Sequence, residues 1–206
     1  MTKSKVTYDS EFNGSKILTD QDKKQGCYVN ILESIKDNFD HMADKHSKVL
    51  FMRYDIRFPQ DNKIPEQDKT FRDFHANWIK NLKRNNLDPH YLWTREQSKE
   101  KHSHYHGILL LDGNKTQSIH GHIEKAEELW HKALDIDPAN NKGLVNDCTK
   151  GRDGTTHKNG IMLRKDDPEY TEKKNQCFEW SSYLAKENTK GNAPKGCRTF
   201  AYSRLK

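Results

Sequence analysis

Cysteines, apolar residues and phosphate-cradling loops are all scarce in this chain, and each scarcity removes a class of protein. The four cysteines, Cys27, Cys148, Cys177 and Cys197, are scattered and form no C-x-x-C pair. That argues against a disulfide framework and fits reduced thiols inside a cell. The longest aliphatic run is ILLL at 108–111, far short of the roughly 20 residues that cross a bilayer. Residues 1–10 are polar, with no apolar signal core, so a soluble cytoplasmic protein is expected. The glycine-containing stretch 191–197, GNAPKGC, lacks the Gly-Lys-Ser/Thr ending of a phosphate loop, so no nucleotide-driven helicase is expected.

What is abundant is charge. Charged residues make up 32% of the 206, equal to the apolar share, and mean hydropathy is −1.14. A modest core must carry a wet, charged surface, though 206 residues are enough to bury one. Lys and Arg number 36 against 30 Asp and Glu, a net charge of +6. That excess suits a polyanionic partner, because phosphate contacts by Lys or Arg release condensed counterions.

Residues 1–29 show no clear periodicity and read as an N-terminal arm, leaving 30–206 as the domain. Ile31, Leu32, Ile35, Phe39 and Met42 have helical spacing, and VLFMRYDIRF at 49–58 reads as a strand closed by Pro59. Phe71, Phe74, Trp78 and Leu82 mark a second helix. Strands follow at 90–97 and 104–111, joined by the charged connection SKEKHS. A third helix carries Ile123, Ala126, Trp130 and Ala133, and short strands are expected at 144–147 and 161–164. Asp167-Pro168 opens a last helix running to about Lys186. The order is helix, β-α-β-β-α-β, helix. It predicts an α+β fold, a ferredoxin-like antiparallel sheet with helices on one face plus flanking N- and C-terminal helices.

The most informative segment is His104-Tyr105-His106 leading into ILLL. Alternate side chains of a strand share a face, so His104 and His106 project together. Glu96 on the preceding strand is the natural third ligand. Two imidazoles and a carboxylate, with positions left for water and phosphate, suit Mn²⁺ or Mg²⁺ as a Lewis acid. The strand register leaves His102 as an alternative ligand, and His120 with His122 repeats the spacing without a cysteine pair to complete a zinc site.

Near the end of the last helix, Cys177, Trp180 and Leu184 form an apolar stripe with Tyr183 at its flank and Lys186 beside it. A phenol with a pKa near 10 is a poor nucleophile at neutral pH, and a neighbouring ammonium would help it. Arg53, Arg57 and Arg95 alternate on strands where they can follow a phosphate backbone. Trp93, Tyr105 and Tyr202 are candidates for stacking on unpaired bases.

Together these motifs resemble the HUH endonucleases, closest to the replication initiators of filamentous phages (inoviruses) and their relatives in prophages and satellite islands. The matching residues are Arg95-Glu96, His104-Tyr105-His106, Tyr183-Leu184-Ala185-Lys186 and Phe200-Ala201-Tyr202-Ser203-Arg204. The resemblance implies a metal held by His104, His106 and Glu96, with Tyr183 attacking single-stranded DNA to leave a 5′-phosphotyrosine and Lys186 assisting. Arg53, Arg57, Arg95, Tyr105 and Arg204 would contact the DNA. Origin or hairpin DNA, a host helicase and a host polymerase would be the partners, in the cytoplasm of a bacterial host cell. One departure is plain: Glu187 stands where two-tyrosine initiators carry their second tyrosine. The same residues also fit a metal-dependent nuclease that activates water, or a non-catalytic DNA-binding protein or repressor.

Overall fold

A computed structural model of the chain describes residues 5–59, 68–96, 103–151, 154–187 and 197–205. The alternative ligand His102 lies outside the described residues. Four two-residue strands come first: β1 (Val6–Thr7), β2 (Glu11–Phe12), β3 (Ser15–Lys16) and β4 (Cys27–Tyr28). Then follow α1 (Val29–Lys45), β5 (Lys48–Arg57), α2 (Asp68–Arg84), β6 (His90–Glu96) and β7 (His104–Asp112). The chain continues through α3 (His120–Leu134), β8 (Val145–Asn146), β9 (Ile161–Arg164), α4 (Tyr170–Ser182) and β10 (Phe200–Tyr202).

The fold is α+β. The main sheet runs β10-β6-β7-β5-β8, with β9 also paired to β5, and its pairings are antiparallel. The unit β5-α2-β6-β7-α3-β8, in the spatial order β6-β7-β5-β8, is the ferredoxin-like arrangement read from the sequence. β10 adds an edge strand that the sequence did not announce.

Strand alternation sorts the core into two layers. Leu50, Met52, Tyr54 and Ile56 of β5 face Phe71, Phe74 and Trp78 of α2 and Trp130 of α3. Val49 and Phe51 point the other way, to Ile35, Phe39 and Met42 of α1 and Phe178 of α4. The two flanking helices therefore cover the face that α2 and α3 leave open. This burial on both sides explains why ILLL is apolar without a break: every residue of β7 is buried.

Residues 5–29 are not a loose arm. β1 pairs with β4, β2 with β3, and Ile17 and Cys27 are buried in the α1/α4 layer. Two-residue strands carry no periodicity, so no residue pattern marks them. The last helix also starts later than read: Asp167 Oδ1 accepts from Glu169 N at 2.9 Å one turn before α4 begins at Tyr170. Among the described residues no helix is long and apolar enough to cross a membrane.

Gly107 follows His106 because Tyr54 lies directly across it in the register. A Cβ there would sit 2.1 Å from Tyr54 Cζ, and Tyr54 is itself buried and bonded to His75 Nε2 at 2.9 Å. Gly107→Ala should therefore lower stability by about 3 kcal/mol or more through overpacking. Gly121→Ala, in α3 with nothing within 4 Å of the new methyl, should raise it by about 0.5–1 kcal/mol. Urea unfolding midpoints of the two variants check the pair.

Candidate active site

In an antiparallel sheet, directly opposed residues share a face. His104 is opposed by Glu96 on β6 and Arg57 on β5; His106 is opposed by Thr94 and Asp55; Ile108 by Leu92 and Arg53. The α1/α4 face of the sheet is thus apolar at one end (Phe51, Leu92, Ile108, Leu110) and polar at the other. α1 and α4 cover the apolar end, and the polar end forms the floor of a cleft of about 460 Å³.

The chain returns to this cleft at the end of α4. Tyr183 opens a single 3₁₀ turn, Tyr183–Ala185, and its ring centre lies 5.3 Å from that of His106, with the planes at 77°. Lys186 Nζ is 4.8 Å from the Tyr183 ring centre and the Arg53 guanidinium carbon 5.0 Å. Two cations therefore flank the phenol; the sequence had singled out Lys186 for that place and Arg53 only for the phosphate backbone. The first residues of the chain hold this turn. Leu18 N donates to Ser182 Oγ at 2.8 Å, Glu187 N to Gly26 O at 3.0 Å, and Cys27 forms a β-bridge with Lys186.

His106 sits between two carboxylates. Its Nδ1 is 2.5 Å from Asp55 Oδ1 and its Nε2 is 3.3 Å from Glu96 Oε2. Burial alone would depress the imidazole, but Asp55 and Glu96 outweigh it and hold the pKa at about 9. Asp55 is lowered in turn: burial opposes this, and the His106 charge and hydrogen bond prevail. Two carboxylates on one imidazole give this corner a negative charge that a cation between Glu96 and His106 would offset. With a metal on Nε2, Asp55 would orient the ring from behind through Nδ1–H. His104, on the same face, has its ring centre 6.5 Å from that of His106. The donor set fits a hard divalent cation. Among the described residues, however, no three His, Cys, Asp or Glu already stand in metal-binding array. Cys148 also lines the cleft, but burial raises its thiol well above the ordinary value, which disqualifies it as a thiolate nucleophile.

Not every expected residue is here. Arg53 and Arg57 line the cleft. Arg95 does not: it opposes Tyr105 on the α2/α3 face and is 4% exposed. Tyr105 is fully buried, stacked on Phe71 with ring centres 3.5 Å apart, so no base can reach it. A one-residue alternation decides both, since neighbours along a strand face opposite ways. Trp93 is in the same core. Arg204 is exposed, but β10 pairs Phe200 with Thr94 and Tyr202 with Leu92, so the chain has moved away from Glu96 by residue 204. His120 pairs with Glu124 and His122 with Thr116 at the start of α3.

Sequence reasoning missed Asp55, Trp180 as a cleft wall, and Lys150 and His157 on the β8–β9 connection. Asp55 had a signal: Arg53, Asp55 and Arg57 alternate within an otherwise apolar strand. The other three had none, because their positions depend on where a loop and a helix end fold back.

His106 is held above its unfolded value of 6.5, so its contribution to stability is complete below about pH 6.5 and is lost as pH rises through about 9. Metal-free protein should lose on the order of 2–3 kcal/mol across that window, and His106→Gln should flatten the slope. Urea melts at stepped pH in chelator measure both.

No curated protein and no solved structure matches the chain. The family model described as YagK/YfjJ C-terminal domain matches residues 7–203, taking in the folded first strands as well as the sheet and the tyrosine turn. The chain belongs to the YagK/YfjJ C-terminal domain family.

Proposed function

We propose that the chain is an HUH-type endonuclease that nicks and rejoins single-stranded DNA through Tyr183. The observation that carries this reading is the 5.3 Å approach of the Tyr183 and His106 rings across one cleft, although the two residues are 77 positions apart in sequence, as 183 minus 106. A tyrosine packed only for structure has no reason to end beside a carboxylate-paired histidine with two cations on its ring.

The chemistry is a phosphoryl exchange. Tyr183 Oη attacks the scissile phosphorus and loses its proton to solvent. The P–O3′ bond breaks and O3′ takes up a proton from solvent, leaving a 5′-phosphotyrosine and a 3′-hydroxyl that a polymerase can extend. One phosphoester replaces another, so the 3′-hydroxyl can attack back and restore the strand. His104, His106 and Glu96 would hold Mn²⁺ or Mg²⁺, which as a Lewis acid polarises a phosphate oxygen. Arg53 and Lys186 sit where charge develops on the phenolate and phosphate. With Tyr183 the one tyrosine among the described residues that line the cleft, and Glu187 hydrogen-bonded to Tyr8 at 3.1 Å, this chain makes one covalent link at a time. Initiating rolling-circle replication of a phage or mobile element, with host helicase and polymerase, is the role that suits such an activity.

Incubating the protein with single-stranded oligonucleotide and Mn²⁺ should give an adduct that survives SDS gel electrophoresis. Tyr183→Phe should abolish the adduct and keep DNA binding within about threefold; an undiminished adduct would move the nucleophile elsewhere. His104→Ala with His106→Ala should reduce metal-stimulated cutting by at least about 10²-fold, and cutting without an adduct in the unaltered protein would favour a water-activating nuclease.

A further inference from the structure

The cleft has a second corner, where Trp180 and His157, which the nicking chemistry does not use, meet the Arg53 that it does. Trp180 is one helical turn before Tyr183 and faces the same cleft. The other three tryptophans, Trp78, Trp93 and Trp130, are at most 3% exposed in the α2/α3 core, so Trp180 alone offers an indole to a ligand. The Arg53 guanidinium carbon lies 5.1 Å from the Trp180 ring centre, and the His157 ring centre 5.8 Å away at 37°.

Arg53 is an unusual floor residue. It is 7% exposed, and its Nε is buried with no hydrogen-bond partner among the described residues. Its acidic neighbour Asp55 is 3.9 Å away and is already engaged by His106. A buried guanidinium left short of partners is costly unless an anion completes it. The position is also firmly built, because the Asn159 side chain bonds both the N–H (2.9 Å) and the C=O (2.8 Å) of Arg53. This pins the β8–β9 connection to the sheet. Around Asn159 the connection doubles back, with Gly151 N to Thr155 O and His157 N to Thr149 O, both 2.8 Å, and it brings Lys150 and His157 to the rim.

We propose that this corner is a nucleotide subsite: Arg53 takes a phosphate oxygen of an unpaired DNA strand, and Trp180 with His157 stacks on the base attached to it. The subsite deepens the nicking reading and rests on it for the choice of DNA as ligand. An anion site 5.1 Å from a π-face matches a nucleotide better than a free anion, which has no use for the indole, or an apolar ligand, which has no use for the guanidinium. Stacking on an indole accepts any base, so the subsite contributes affinity and positions the strand rather than reading its sequence.

The test needs neither metal nor cutting. Full-length Tyr183→Phe protein in chelator is titrated with a twelve-nucleotide oligothymidylate and with an abasic chain of the same length and charge. Tryptophan fluorescence and anisotropy are both followed. We expect oligothymidylate to quench the fluorescence and to bind at least tenfold tighter than the abasic chain. Trp180→Phe should keep affinity within about threefold and lose the quenching. Trp180→Leu should lose about tenfold on oligothymidylate and less than twofold on the abasic chain. Equal affinity for the two chains, quenching that persists in Trp180→Phe, equal loss on both ligands in Trp180→Leu, or no binding of oligothymidylate would each overturn the proposal. The two-ligand comparison on protein with Trp180 intact stands even if a Trp180 variant fails to fold. An absent covalent adduct in the Mn²⁺ assay would overturn the nicking reading without touching this result.

Discussion

β7 is hydrogen-bonded along both edges, and its register with β5 and β6 decides which side chains share the cleft. Opposed residues bring Glu96, His104, Arg57, Thr94, His106 and Asp55 to one face. A slip of one residue on any of the three strands would send that strand's contribution to the other side. The register is held by burial on both faces: Leu109 and Leu111 enter the α2/α3 core, Ile108 and Leu110 the α1/α4 core. Gly107 is part of the same lock, since Tyr54 occupies the space a side chain would need.

The cleft concentrates opposite charges in a small volume. Asp55 and Glu96 converge on His106, while Arg53 and Lys186 converge on the Tyr183 ring. A carboxylate pocket beside a cationic pocket is what a metal and a phosphate require when they are held side by side. The low dielectric of the cleft strengthens every charge interaction in it, including the pull of Asp55 and Glu96 that overcomes the cost of burying the His106 charge. Arg53 links the two pockets, reaching Asp55 on one side and the Tyr183 and Trp180 rings on the other.

The first strands of the chain belong to this site mechanically. Leu18, Gly26 and Cys27 bond to Ser182, Glu187 and Lys186, the residues that bracket the tyrosine turn. Residues from the two ends of the chain thus set the height of Tyr183 above the sheet. This also explains why α4 ends in a tight turn at Tyr183: the last residues are paired to another segment and do not continue the helix.

The sequence by itself determined the element order from α1 to α4, the ferredoxin-like unit and the pairing of His104 with His106 on one strand face, because these follow from periods of 3.6 and 2 written into neighbouring residues. It also pointed to Glu96, Tyr183 and Lys186, which sit in short motifs. Only the tertiary structure decided that Arg95 and Tyr105 face the core, that Arg204 runs away from the histidines, and that residues 5–29 are folded. It alone brought Asp55, Trp180, Lys150 and His157 to the cleft. Those outcomes depend on which of two sheet faces is covered by which helix and on where loops return, and such long-range choices leave no periodic trace in the chain.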